Sequence, residues 1–306
     1  MIRTLYPIDL LPLLMSSGRM PPNQGADYHS LGNRSPTSLE GLLEHWLPLK
    51  TRRHTWVCLE RGRIVGLVSS RDCGHPAAWQ IDCIRTEGEQ CLELLDRVGA
   101  AASQHRVRKL FLRLLSDSPL IHEARRFGFS PYKVDYVYRV TADRMPATTT
   151  DSQRYSLRRA YNNDDYRLFG LYTIVVPAPV RVAEGMTLAE WQETRDRPAW
   201  PEQHREFVLG TRESIVGWLT VKPFRGSGCF WILCRESDDE SLDLLLKCAI
   251  RSLRPKSHIF CVAYPFQERL LRLMENLGFE QVAECSSLMK EVTVKATQPH
   301  FMPAKA

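Results

Sequence analysis

Ile64-Val65-Gly66-Leu67-Val68-Ser69-Ser70-Arg71 is written a second time, as Ile215-Val216-Gly217-Trp218-Leu219-Thr220-Val221-Lys222, 151 residues later. Both copies follow a charged turn, Glu60-Arg61-Gly62-Arg63 in one case and Arg212-Glu213-Ser214 in the other. Each reads as a β-branched strand entered from a hairpin. Other landmarks recur 150 residues apart: Arg85 with Arg235, Leu92 with Leu242, Gly128-Phe129 with Gly278-Phe279. A period of that length marks a duplicated domain, since solenoid repeats run to about 20–50 residues. The 306 residues hold two units of about 150, the usual size for one hydrophobic core.

Working outward from the repeat, the first half reads as strand (2–6), helix through Leu10 and Leu13, and a Pro/Gly/Asn/Ser loop (20–36). A helix capped by Ser38, the hairpin 55–70 and the strand 79–84 come next. Helical spacing over Leu92, Leu95, Val98 and Ala102 precedes a strand at 109–115, a helix from Pro119 to Gly128, and a strand at 132–140 that closes the sheet. The second half repeats the order, with 175–185 read as a Pro-containing loop. The expected domains are therefore 1–140 and 155–294, joined by the polar linker 141–154 and followed by a tail at 295–306. The fold class is α/β, with a mixed, mainly antiparallel sheet flanked by helices.

Hydrophobic content of 43% and charged content of 25% suit a globular protein, and the net charge of +6 comes without a long Lys/Arg block. Nothing in this favours nucleic acid. Nine cysteines, an odd number with no CxxC pair, read as buried thiols of a reducing compartment. The nine histidines form no HExxH, so no metal site is expected. The apolar run Leu10–Met15 is broken by Pro12 and falls short of the roughly 18 residues that span a bilayer. A cytoplasmic location is the expectation, with no membrane partner.

The element order, the IVG strands and the helix ends Phe127-Gly128-Phe129 and Leu277-Gly278-Phe279 together resemble the GNAT N-acetyltransferase superfamily. The resemblance covers nearly the whole chain as two copies. It implies two tandem GNAT-like domains and an acyl-CoA-dependent N-acyltransferase acting on a small-molecule or peptide amine, with acetyl-CoA or another acyl-CoA as co-substrate and no metal. In the family, acyl-CoA lies where the central strand splays from its neighbour, and a [QR]-x-x-G-x-[GA] loop at a helix N-terminus holds its pyrophosphate. The first half has Arg85-Thr86-Glu87-Gly88-Glu89-Gln90 at that place, so Ile84, Arg85, Gly88, Glu89 and Gln90 are the expected cofactor contacts. Gln90 replaces the final Gly or Ala, and Glu87 and Glu89 add negative charge.

The second half has Arg235-Glu236-Ser237-Asp238-Asp239-Glu240, with no glycine and four carboxylates. It reads as a degenerate copy. The family's tyrosine acid lies four residues before the Gly-Phe glycine, where this chain has Ala124 and Met274. Asp82 is the candidate base, and Tyr132 and Tyr136 are further candidates for the acid. Two incomplete loops and two missing tyrosines leave open an alternative, a catalytically inactive GNAT-fold binding or scaffolding protein.

Overall fold

The computed structural model describes residues 1–16, 20–26, 53–73, 77–86, 90–141, 154–194, 204–211, 214–224, 226–235, 239–254 and 256–293. The first half runs β1 (Ile2–Thr4), α1 (Leu10–Ser16), β2 (Arg53–Glu60), β3 (Arg63–Asp72), β4 (Ala78–Arg85), α2 (Gln90–Gln104), β5 (Lys109–Leu115), α3 (Leu120–Arg126) and β6 (Ser130–Thr141). The second runs β7 (Ser156–Arg159), α4 (Asp165–Val175), α5 (Ala178–Glu184), α6 (Leu188–Thr194), β8 (Arg205–Gly210), β9 (Ile215–Pro223), β10 (Ser227–Cys234), α7 (Asp239–Leu253), β11 (His258–Ala263), α8 (Glu268–Asn276) and β12 (Glu280–Glu291). The helix expected after Ser38, residues 142–153 of the linker and the tail lie outside the described residues, while Thr141 ends β6.

The duplication reaches down to single hydrogen bonds. After β1, Asp9 accepts from the Tyr6 amide at 2.8 Å and from both Arg3 amino groups at 2.6 and 2.7 Å. After β7, Asp164 accepts from the Tyr161 amide at 2.8 Å and from both Arg158 amino groups at 2.7 Å. Hydrogen bonds from Arg3 and Arg158 hold the two carboxyls below the usual range. Gly128 and Gly278 take φ of 95° and 81°, a left-handed conformation that glycine adopts without cost and other residues resist. The repeated IVG glycines are set by packing. A Cβ on Gly66 would stand 3.3 Å from Leu94 of α2, and one on Gly217 only 2.6 Å from Leu245 of α7.

The twelve strands form one sheet in the order β1-β2-β3-β4-β5-β12-β6-β11-β10-β9-β8-β7. The β4–β5 and β10–β11 pairs are parallel and all the others antiparallel. The last strands of the two halves are exchanged, which differs from the expectation that 132–140 closes its own half. β12 pairs with β5 (Cys285↔Leu115 to Glu291↔Lys109), β6 pairs with β11 (Ala263↔Tyr136 to His258↔Thr141), and the two lie side by side at the seam. Alternation identifies a strand and its buried face but not its partner, and β6 and β12 are similar copies.

One face of the sheet is covered by α2 and α3 over Ile84, Leu110 and Leu112, and by α7 and α8 over Phe230, Ile232 and Cys261. The other face, in the second half, is covered by α4, α5 and α6. α5 is a correction to the loop expected at 175–185. Pro177 stands at its N-cap, where no amide hydrogen is needed, and Val180 and Ala183 turn inward. Eight of the nine cysteines are buried, and all nine are free thiols. Among the described residues no helix is long and apolar enough to cross a membrane.

Candidate functional site

The parallel pairs part company after four residue pairs in the first half and five in the second. β4 and β5 are paired from Ala78↔Lys109 to Ile81↔Leu112, and β10 and β11 from Ser227↔His258 to Trp231↔Val262. Beyond those residues each half has a gap in its sheet.

The gap in the first half is filled by Met20–Ala26. The Asn23 side chain donates to Asp82 O at 3.1 Å and accepts from the Ile84 amide at 2.9 Å, and the Gln24 amide donates to Ile84 O at 2.9 Å. On the far side Gly25 forms a β-bridge with Leu114, and the Ala26 amide donates to Arg113 O at 2.8 Å. Both edges of the gap are thus satisfied by the chain itself. Gly25 is required by the fit, since a Cβ there would meet the Asp82 carbonyl oxygen at 3.0 Å.

This arrangement places the residues expected from sequence. The amide and carbonyl of Ile84 are engaged by Asn23 and Gln24. Arg85 Nε donates to Pro21 O at 2.8 Å, and Gln90 donates to the Glu60 carboxylate. Gly88 and Glu89 lie outside the described residues. Asp82 is 1% exposed, with Arg53 amino groups 2.9 and 2.8 Å from its two oxygens and Arg71 Nε at 3.7 Å. The candidate base thus sits in a buried ion pair with Arg53, with Arg71 nearby.

The gap in the second half is spanned only at its root among the described residues. Gln267, 2% exposed, donates to Ile232 O at 2.7 Å and accepts from the Tyr264 amide at 3.1 Å. Beyond it Ile232, Leu233 and Tyr264 line a cavity of about 250 Å³ that runs along the α4–α6 face and across the seam. Arg235, where the phosphate loop of this half would begin, has a buried Nε with no hydrogen-bond partner.

A charged cluster sits at the seam. Lys133 Nζ is 2.6 Å from Glu184 and 3.7 Å from Asp135, and 4.8 Å from the Tyr264 ring centre. Asp135, fully buried, also binds Arg113 Nε at 2.8 Å and the Ser287 hydroxyl at 2.6 Å. Burial alone would raise the Asp135 carboxyl, but the Lys133 and Arg113 charges and the two hydrogen bonds carry it below the usual range. Burial works most strongly against the Lys133 ammonium, but Glu184, Tyr264, Asp135 and Tyr132 together outweigh it and keep the lysine charged. Burial pushes the Tyr264 phenol up to about 12, and raises those of Tyr132 and Tyr172 as well.

The cavity walls are aromatic, with Tyr172, Trp191, Trp218, Trp231 and Phe266 among them. At its outer end His204 Nε2 lies 2.7 Å from Glu206 Oε1. Tyr132 lines the cavity, whereas Tyr136 packs into the core on the α7 side. Lys133, Glu184, Tyr172, His204, Glu206 and Tyr264 were not among the expected site residues. Three of them had a signal in the sequence. Lys133 and Asp135 fall on one face of a strand in which an apolar pair is the norm, and His204, just before β8, stands two residues from Glu206.

Two gapped half-sheets fused through exchanged strands, with helices on both faces, constitute the tandem GNAT fold. A GCN5-related N-acetyltransferase from Sphaerobacter thermophilus matches with a TM-score of 0.57 at 15% identity, over 97% of this chain and 96% of that one. A tandem GNAT protein from the clavulanic acid biosynthesis pathway matches at 0.54 and 14%, over 97% and 99%. A putative acetyltransferase from Pyrococcus horikoshii matches at 0.53 and 13%, over 97% and 91%. At these identities the likeness is one of fold. No family model matches the chain, and no curated protein matches it.

Proposed function

We propose that the chain is an acyl-CoA-dependent N-acyltransferase whose reaction takes place in the seam cavity, with the acyl thioester entering through the gap between β10 and β11. One observation carries this reading: that gap ends beside Leu233 and Tyr264, in the cavity wall, while the equivalent gap of the first half is occupied by Met20–Ala26. The sequence favoured the first half for the cofactor; its closed gap is the reason for the change.

The amine nitrogen attacks the thioester carbonyl and the C–N bond forms. The carbon–sulfur bond then breaks, the thiolate takes the Tyr264 proton, and the proton shed by nitrogen passes to Glu184 and back to the phenol. A phenol raised to about 12 is protonated at neutral pH and available to a thiolate. Glu184 is the cavity-lining carboxylate joined to this cluster through Lys133. Asp239 and Glu240 at the head of α7 oppose a pyrophosphate there, so the acyl-CoA affinity is modest.

Calorimetric titration of acetyl-CoA into the wild type, Arg235→Glu and Gly88→Glu tests the assignment. Binding retained in Gly88→Glu and weakened at least tenfold in Arg235→Glu supports it. The reverse pattern moves the cofactor to the first half and requires Met20–Ala26 to leave its gap. No binding by the wild type removes acyl transfer and leaves the binding-protein alternative.

A further inference from the structure

The seam cavity also limits what the acceptor can be. Among the described residues, the Tyr172 hydroxyl, on a residue 4% exposed, and His204 Nδ1, on a side chain 10% exposed, are buried polar atoms on its wall without a hydrogen-bond partner. Leaving such atoms unpaired costs stability, which a ligand bringing complementary groups recovers. The two atoms stand at different ends. Tyr172 belongs with Glu184 and Lys133, whose charges act on it. His204 directs Nε2 to Glu206, so in its neutral form the ring offers the Nδ1 lone pair as an acceptor.

Strand pairing gives the spacing. Trp218 lies opposite Leu233, beside Tyr264, and Thr220 lies opposite Glu206. Lys222 is two residues further along. The rise per strand residue sets the outer end about 7–13 Å from the gap. Between the ends the walls are flat rings. Tyr172 and Trp191 centroids are 5.8 Å apart, and Trp191 meets Trp218 edge-on at 5.9 Å and 66°. Trp231 and Phe266 complete the lining. Ring faces and edges of this kind favour another ring over an alkyl chain.

We propose that the acceptor is a primary amine on an aromatic body with a hydrogen-bond donor at the opposite end. The amine lies between Glu184 and the Tyr172 hydroxyl, the ring between Trp191, Trp218 and Trp231, and the donor on His204 Nδ1. This rests on the acyl-transfer reading for its amine end, but binding is testable without acyl-CoA.

Three probes separate the features: tyramine has all three, phenethylamine lacks the donor, and putrescine lacks the ring. Tryptophan fluorescence titration is expected to rank them tyramine, phenethylamine, putrescine, with at least tenfold between first and last. His204→Ala, checked for an unchanged circular dichroism spectrum, is expected to weaken tyramine about tenfold and leave phenethylamine unchanged. Putrescine binding as tightly as tyramine, or His204→Ala weakening both aromatic amines equally, overturns the proposal. A parallel acetyl-CoA assay keeps the two readings apart. Tyramine bound but never acylated ends the transfer reading alone, and putrescine acylated in preference to tyramine ends the acceptor assignment alone.

Discussion

The two gaps are copies of one design put to opposite uses. In the first half the strands part after Ile81 and the opening is closed by Asn23, Gln24 and Gly25, which satisfy both edges as a further strand would. In the second half the strands part after Trp231, Gln267 spans the root, and among the described residues the rest gives onto a cavity where the Tyr172 hydroxyl and His204 Nδ1 are unpaired. The lesson is that duplication conserves a sheet and its register more readily than it conserves a vacant slot. A few residues in the connection after α1 are enough to close the gap in one copy.

The strongest challenge to this contrast addresses the seam on which both halves depend. Asp135→Ala leaves Arg113 and Lys133 buried without their shared carboxylate and is expected to cost about 3–5 kcal/mol, read from chemical denaturation as one cooperative transition. Two separate transitions would mean that the halves are not coupled there. The same residue sets an acid limb. Its folded pKa lies below the ordinary 3.8, so its contribution is complete above that value and is lost as pH falls through the folded one. Asp135→Asn is expected to flatten the thermal midpoint below about pH 4.

Next in size is the chemistry. Tyr264→Phe is expected to lower kcat about 10²-fold or more, the usual range for an acid catalyst. Counted from the paired residues Lys109 and His258, Leu115 holds the corresponding place in the first half, and Leu115→Ala is expected to leave kcat within twofold. Equal losses in the two variants would erase the difference between the gaps. Gly25→Val presses a side chain on the Asp82 carbonyl and is expected to destabilise by about 1–3 kcal/mol. Faster deuterium exchange at the Ile84 amide, with acetyl-CoA binding unchanged, would mark the effect as local to the filled gap. The smallest effect belongs to the head of α7, where Asp239→Asn with Glu240→Gln is expected to tighten acetyl-CoA binding a few-fold, most visibly at low salt.

Much of the fold was legible in the sequence. The strand 109–115 appears at the expected residues, and the turns at Gly62, Gly128 and Gly278 follow from positive φ. α5 was missed because Pro177 reads as a breaker until its place at an N-cap is known. The strand exchange was missed because pairing partners are chosen by three-dimensional closure between two similar copies. The site was less legible still. RxxG between strand and helix is a local pattern, and it carries no sign that Asn23, 61 residues away, engages the strand edge at Ile84. Lys133 and Glu184, 51 residues apart, share a cluster only because β6 crosses the seam.

That crossing sets a timetable for synthesis. When the ribosome has finished Leu115, the strand that completes β5 is still unmade, for its pairing residue is Cys285. At 5–20 residues per second, the nascent first half waits roughly 10–35 s with that edge unsatisfied. An exposed edge of this kind invites pairing with other chains. A ribosome stalled in the second half therefore leaves a sticky fragment, not a finished domain, and a gene split between the halves yields soluble protein only when both pieces are made together.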